Sequence, residues 1–330
     1  MAVSIADIQK LRKMTGAGLS DCKKALTDAE GNFEKAVEII REKGQAIAAK
    51  RSDRETSNGC VLVKYADGFG AIVALKCETD FVANGADYIK LTQDILDAAV
   101  AAKAKSLDDV KKLTLVDGTK VEDAVIARSG ITGEKMELDG YNFIEGENVS
   151  TYDHMGKHTL CTMVQTNKPA EEQAHAIAMQ VAAMKPMFLD EASVSQEFIE
   201  EEKKVAAEKT KQELVQKAVE AALKKAGINP AHVDSEEHME SNIGKGWITA
   251  EDVAKAKEII ATVSAEKAAN LPAPMIENIV KGRINRIFKE NCLLNQEFIQ
   301  DSKLSVSDYL KAADKELTVV DFKRFSLSAD

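Results

Sequence analysis

The sequence predicts an α+β protein with an inserted helical arm, and three observations lead to this prediction. The apolar run Ala71 to Leu75 is short, partly β-branched and flanked by glycine, which is typical of a buried strand. The order strand, strand, helix then occurs twice, about 90 residues apart, which indicates a two-part core. Residues 197–226 are rich in Glu, Lys, Ala and Val with few large apolar side chains, which favours a long, largely solvated helix.

Composition excludes several classes of protein. Acidic residues outnumber basic ones, 54 against 44, so direct nucleic-acid binding is not expected. The first residues, Met1 to Ser4, lead straight into a helical pattern without a signal segment, and no apolar run is long enough to span a membrane. Five cysteines are scattered without a C-x-x-C pair, which favours a reducing, cytoplasmic location over a zinc site or disulfides: Cys22, Cys60, Cys77, Cys161 and Cys292.

Residues 1–50 predict a three-helix bundle. Ser4-Ile5-Ala6-Asp7 has the pattern of a capping box at the start of the first helix. Two glycines in Thr15 to Gly18 predict a break before a second helix. A third helix, with its apolar stripe starting at Phe33, is expected to stop at Gly44, and the polar residues 45–57 then suit a linker.

Residues 51–145 predict the first part of the core. Ala66-Asp67-Gly68 is a hairpin turn signal between two strands, and helical spacing follows from Asp87 to Lys105. A short helix near 121–129 and a strand near 135–144 complete this part.

The second part of the core is predicted from residues 146–190 and 289–330. A hairpin turning at Met155-Gly156 precedes a helix at about 170–184, in which Met179 and Met184 are expected in the core. Alternation over 317–327 predicts the final strand, with no further helical module expected after it.

Residues 191–288 predict the helical arm, which is coiled-coil-like. Ser193-x-x-Gln196 is expected to cap its long first helix, and 227–247 to form a loop. Thr249-x-x-Asp252 is expected to cap a second helix to about 268, and 275–289 extends the base of the arm.

The segment Lys76 to Asn84 is the candidate functional stretch, because it places Phe81 in a connection between a strand and a helix. Such a phenylalanine either folds back into the core, as aromatic side chains usually do, or projects as an apolar plug beside Asp80.

Two stretches carry a resemblance to a known family. Thr79-Asp80-Phe81-Val82-Ala83 resembles the hallmark of the elongation factor Ts family, the guanine-nucleotide exchange factors of elongation factor Tu. Leu11-Arg12-Lys13-Met14-Thr15-Gly16-Ala17-Gly18 and the residues after it, through Gly44, are similar to the amino-terminal signature of that family. The resemblance covers most of residues 1–190 and 275–327.

The resemblance implies a function and a set of contact residues. The bundle would be of the ubiquitin-associated type and would dock on the GTPase domain of elongation factor Tu. Asp80 and Phe81, flanked by Thr79 and Val82, would enter that domain and disturb its Mg²⁺ and phosphate site, so that GDP leaves and GTP can bind.

The resemblance also implies further contacts at Arg12 and His154, with Lys50 and Arg51 as weaker candidates. His154 lies in a Tyr-Asp-His-Met-Gly segment that is similar to the Tyr-x-His of the family. The arm is used by some members of the family for self-association.

The sequence gives little support for an enzyme. No phosphate-binding glycine motif is present, so we expect no nucleotide bound by the chain itself, and we expect no metal or other cofactor. A nucleophilic pair of Cys77 and His154 is conceivable but unfavoured, so we expect no enzyme. The remaining alternative is a non-catalytic adaptor that binds ubiquitin or a peptide through its amino-terminal bundle.

Overall fold

A computed structural model describes residues 3–328, so Met1 and Ala2, for which the sequence predicts no signal segment, lie outside the described residues. The chain divides into two units. Unit 1 comprises the chain up to Leu189 together with the segment from Glu297 onward. Unit 2 is Asp190–Gln296. Unit 1 mixes helices and sheets while unit 2 is helical, which confirms the predicted α+β class.

The chain begins with three helices that share a small core. Ser4 is the N-cap of the first helix, where its Oγ accepts a hydrogen bond from the Asp7 amide at 3.1 Å. Leu11 and Leu26 are fully buried at the centre of the cluster. The helices are α1 (Ile5–Thr15), α2 (Leu19–Asp28) and α3 (Phe33–Lys50).

The predicted end of the third helix at Gly44 is wrong, because α3 continues to Lys50. Gly44 lies at a helix crossing: a Cβ built on Gly130, in the helix Val121–Thr132, would stand 2.5 Å from the Gly44 Cα. The glycine therefore permits close contact between two helices instead of terminating one.

Two antiparallel sheets of three strands each form the centre of unit 1. The first sheet has the order β1-β2-β3, and its hairpin turn lies at the predicted Asp67 and Gly68, which both have positive φ. The second sheet has the order β4-β5-β8. The strands are β1 (Asn58–Ala66), β2 (Phe69–Cys77), β3 (Met136–Glu145), β4 (Val149–Asp153), β5 (Leu160–Thr166) and β8 (Val319–Ser326).

The sheets pack face to face and are covered by helices. Val61 and Ile72 of the first sheet share a buried cluster with Cys161 and Met163 of the second. The outer face of the first sheet packs on Ile95 and its neighbours, and the second sheet is covered by a helix that accepts a hydrogen bond from Thr162. Every residue of β2 except Lys76 is therefore buried, which explains its continuous apolar run.

The helices of unit 1 that follow the bundle are α4 (Asp80–Ala83), α5 (Ala86–Ala102), α6 (Leu107–Lys112), α7 (Val121–Thr132), α8 (Glu171–Met184) and α13 (Val306–Ala313). The prediction that Met184 is a core residue is wrong, since it ends α8 and is 44% exposed. A short hairpin of β6 (Glu297–Phe298) and β7 (Asp301–Ser305) precedes α13.

Unit 2 is built from four helices: α9 (Gln196–Lys225), α10 (Glu236–Gly244), α11 (Ala250–Ala269) and α12 (Ala273–Asn291). Leu223 near the end of α9 shares a core with Ala256 near the start of α11, so these two helices run antiparallel. An ion pair of 2.6 Å between Arg283 and Glu213 joins α12 to α9. None of the helices within residues 3–328 is long and apolar enough to cross a bilayer.

Two local predictions in unit 2 are wrong. Ser193 does not cap α9, because Ser195 does so by accepting a hydrogen bond from Phe198, while Ser193 pairs with Asp190 in a separate turn. The predicted loop at 227–247 contains α10, whose apolar face, together with Val233, extends the core between α9 and α11.

Candidate functional site

The segment between β2 and α5 forms a single helical turn, α4, where the sequence predicted a loop. Thr79 is its N-cap and accepts a hydrogen bond from the Val82 amide through Oγ1. Asn84 closes the turn, since its backbone and side-chain amides both donate to the Asp80 carbonyl, at 3.0 and 2.8 Å. Hydrogen bonds at both ends fix the backbone that carries Phe81.

The side chains of α4 divide into an inward and an outward group. Ala83 is buried and Val82 packs partly against the core beneath the first sheet. Phe81 is 87% exposed, so the structure selects the projecting alternative over the core alternative. Asp80 beside it is exposed as well, which places a carboxylate next to the apolar ring.

Glu134, in the connection between α7 and β3, holds the start of the turn. Its carboxylate accepts a hydrogen bond from the Thr79 hydroxyl at 2.7 Å and another from the Thr79 amide at 3.1 Å. Glu134 lies 55 residues away from Thr79, so no local sequence signal could have revealed this contact.

Glu78 anchors the residue before the cap. Its carboxylate accepts a 2.6 Å hydrogen bond from the Lys135 amide and two 2.8 Å hydrogen bonds from the Arg51 guanidinium. The Lys135 amide, followed by the Arg51 charge, holds the pKa of Glu78 below its usual range. Asn58 adds a 2.9 Å hydrogen bond to the Glu78 carbonyl. Arg51, a weaker contact candidate, therefore has a structural role at the base of the site.

A cleft of about 260 Å³ lies beside the turn and is lined by residues from both parts of the core. Asp80 and Asn84 are among its lining residues. Lys157 and His158, from the connection between β4 and β5, line it as well. The connection that carries His154 thus reaches the same cleft as the α4 turn.

His154 itself is half-buried and oriented by a tyrosine. The Tyr152 hydroxyl lies 3.1 Å from His154 Nδ1, and the two rings meet edge to face. Met155 follows with a φ of +58° and is 70% exposed, although a bulky side chain is disfavoured at positive φ. The connection therefore presents a second exposed apolar side chain that the sequence analysis did not single out.

The other predicted residues are less closely connected with the turn. Arg12 is exposed on α1, and no hydrogen bond or ion pair within residues 3–328 joins it to α4. Lys50 is exposed at the end of α3. Cys77 is fully buried, and burial raises the pKa of its thiol, which makes a thiolate nucleophile unfavourable there.

Comparison with known proteins identifies the family. The family model described as Elongation factor TS matches residues 78–229 and 216–329. Elongation factor Ts of Bacteroides fragilis (strain ATCC 25285) is 68% identical over the whole of both chains, and that of Bacteroides thetaiotaomicron is 65% identical over the whole of both. Elongation factor Ts of Porphyromonas gingivalis is 43% identical, again over both full chains. The chain belongs to the elongation factor Ts family.

Membership of the elongation factor Ts family confirms the resemblance found in the sequence, and it makes the protein a translation elongation factor. The match includes the whole α4 turn and the segment with His154, whereas Arg12 lies outside the matched residues. Full-length identity to the elongation factor Ts relatives nevertheless extends over the bundle as well.

Proposed function

We propose that the chain binds elongation factor Tu carrying GDP and accelerates the release of GDP. Phe81 acts as an apolar wedge and Asp80 as an adjacent charge, and together they disturb the site that holds Mg²⁺ and the phosphates. Because Mg²⁺ neutralises the phosphates, displacing the groups that hold the metal weakens the binding of the nucleotide. The chain performs no chemical step itself, and GTP can enter the emptied site.

The observation that carries this proposal is the exposure of Phe81 on a turn fixed at both ends. An aromatic ring that is 87% exposed has apolar surface left to bury, and burying a Phe side chain is worth roughly 1.5–3 kcal/mol. A flexible loop would lose part of this free energy of burial to the entropy cost of becoming ordered on binding. The hydrogen bonds at Thr79 and Asn84 already order the turn before binding. Family membership supports elongation factor Tu as the partner.

Thermodynamic linkage sets a requirement on the mechanism. If the factor weakens GDP binding, then GDP must weaken binding of the factor to the same extent. The same holds for GTP, so the nucleotide that returns displaces the factor. The proposed factor therefore accelerates exchange in both directions and does not select GTP.

The test is release of fluorescent GDP from elongation factor Tu, measured with the parent chain and with Phe81→Ala. We expect strong acceleration by the parent and a loss of about tenfold or more in the variant, which is typical of a central anchor residue. Val116→Ala is the matched control, because Val116 is a fully exposed apolar residue in the connection between α6 and α7.

Two results would contradict the proposal. A folded parent that binds elongation factor Tu without accelerating GDP release would favour the adaptor alternative. Equal loss of acceleration in Phe81→Ala and Val116→Ala would remove the wedge from the mechanism.

A further inference from the structure

We propose that Glu134 is a positioning residue for the Phe81 wedge. Its carboxylate accepts hydrogen bonds from Thr79, the N-cap of α4, and it acts through Thr79 on the orientation of the turn. This inference rests on the exchange function proposed above and assigns part of it to a residue outside the Thr79–Ala83 stretch.

The argument begins with the two roles of the Thr79 hydroxyl. It donates to Glu134 Oε1 at 2.7 Å and accepts from the Val82 amide. A hydroxyl has one proton, so a fixed acceptor for that proton leaves the lone pairs free to cap the helix. The second carboxylate oxygen of Glu134 takes the Thr79 amide at 3.1 Å and thereby fixes the backbone of the same residue. Hydrogen bonds to a charged acceptor are stronger than neutral ones.

Glu134 is itself held in place. The carbonyl of Glu134 accepts a hydrogen bond from the Ser129 hydroxyl at 2.5 Å, and its amide donates to the Thr132 hydroxyl at 3.3 Å. Ser129 is buried, so it provides a rigid support. The next amide, that of Lys135, donates to Glu78. The connection after α7 therefore contacts the residue before the cap and the cap itself, which leaves the start of α4 little freedom.

The helix that precedes Glu134, α7, also packs against the amino-terminal bundle. Gly130 of α7 packs against Gly44 of α3, and Arg41 of α3 forms an ion pair of 2.7 Å with Asp123 of α7. Because α7 packs against the bundle and is followed directly by the connection that holds Glu134, it sets the position of the wedge relative to the bundle. Glu134 joins the connection after α7 to the start of α4 through its hydrogen bonds to Thr79.

The first test needs no partner protein. Amide hydrogen exchange is measured in the parent chain, in Glu134→Ala and in Glu134→Gln. We expect the Thr79 and Val82 amides to exchange about tenfold faster in Glu134→Ala, since each loses a hydrogen bond or the group that orients it. Amides of β2 such as that of Ile72 should be unchanged. Glutamine can accept from the Thr79 amide and pair with its hydroxyl, so Glu134→Gln should recover most of the protection.

The second test measures GDP release from elongation factor Tu over a range of factor concentrations. A misplaced wedge should lower the maximal rate about tenfold, whereas the half-saturating concentration should change less than about twofold because the other contacts remain. Glu122→Ala is the control: Glu122 is an exposed glutamate at the start of α7, so this substitution removes the same charge at the far end of the helix that precedes Glu134.

These results separate the inference from the function on which it rests. Unchanged exchange at Thr79 and Val82 in Glu134→Ala, or faster exchange throughout unit 1, would overturn the positioning role. A rate loss shared by Glu122→Ala, or a Glu134→Gln form as impaired as Glu134→Ala, would overturn it as well. If the parent chain fails to accelerate GDP release, the proposed function fails, and the hydrogen-exchange result still decides whether Glu134 fixes the turn.

Discussion

At the scale of single residues, the base of the candidate site depends on one ionised carboxylate. Glu78 has its side chain mostly buried and receives hydrogen bonds from Lys135 and Arg51. The ionised form is the one that these donors stabilise, which is why the pKa is lowered. Protonation of Glu78 would remove the ion pair that joins the end of α3 to the start of the functional turn.

A pH dependence of stability follows from this lowered pKa. A carboxyl group whose pKa is lower in the folded state contributes stability above its unfolded value, here near 4.5, and loses it as the pH falls through the folded value. Glu78→Gln should therefore be less stable than the parent at neutral pH, and the difference should shrink steadily below about pH 4.5. Unfolding midpoints of the two proteins, measured from neutral to acidic pH, check this. A difference that stays constant over the whole range would contradict it.

The sequence could locate the candidate site, but it could not determine the direction of its central side chain. Phe81 next to Asp80 was identifiable from residue type and from the family resemblance. Whether its ring is buried depends on where the neighbouring core ends, and Val82 and Ala83 already fill the inward side of the turn. Glu134 was not identifiable because its contact with Thr79 spans 55 residues.

At the scale of elements, local signals predicted well wherever a local interaction determines the boundary. The predicted caps at Ser4 and Thr249 are present in the structure, because a side chain and an amide three residues apart are sufficient to form them. Prediction failed where a distant element decides. The predicted helix end at Gly44 is wrong because this glycine accommodates the contact with Gly130, which lies far away in the sequence. The predicted loop at 227–247 contains a helix because its apolar residues pack on α9 and α11, which lie outside the segment.

The crossing of α3 and α7 gives a prediction at this scale. A Cβ at Gly130 would lie 2.5 Å from the Gly44 Cα and so must push the two helices apart. We expect Gly130→Ala to destabilise the protein by about 1–3 kcal/mol in denaturant unfolding, although alanine is the better helix former.

Gly282→Ala is the control for helix propensity, because a Cβ at Gly282 in α12 meets nothing within 4 Å. That substitution should stabilise α12 by about 0.5–1 kcal/mol. Stabilisation by both substitutions would show that the close contact at Gly44 imposes no constraint.

At the scale of the whole molecule, each unit has its own hydrophobic core. In unit 1, Leu96 is buried between the first sheet and the helices that cover it. Unit 2 buries Leu223 among α9, α10 and α11. Because neither cluster includes residues of the other unit, the loss of packing in one core should remain local.

A pair of matched substitutions tests this independence. Leu223→Ala and Leu96→Ala each remove a buried leucine and should each cost about 2–5 kcal/mol in the unit concerned. Hydrogen exchange should become faster within 190–296 for Leu223→Ala and within the remainder for Leu96→Ala. At a temperature where both variants stay folded, GDP release should be affected by Leu96→Ala alone, since α4 and Glu134 belong to unit 1. Faster exchange throughout the chain in both variants would mean that the two cores unfold together, and then the wedge would depend on unit 2 for its stability.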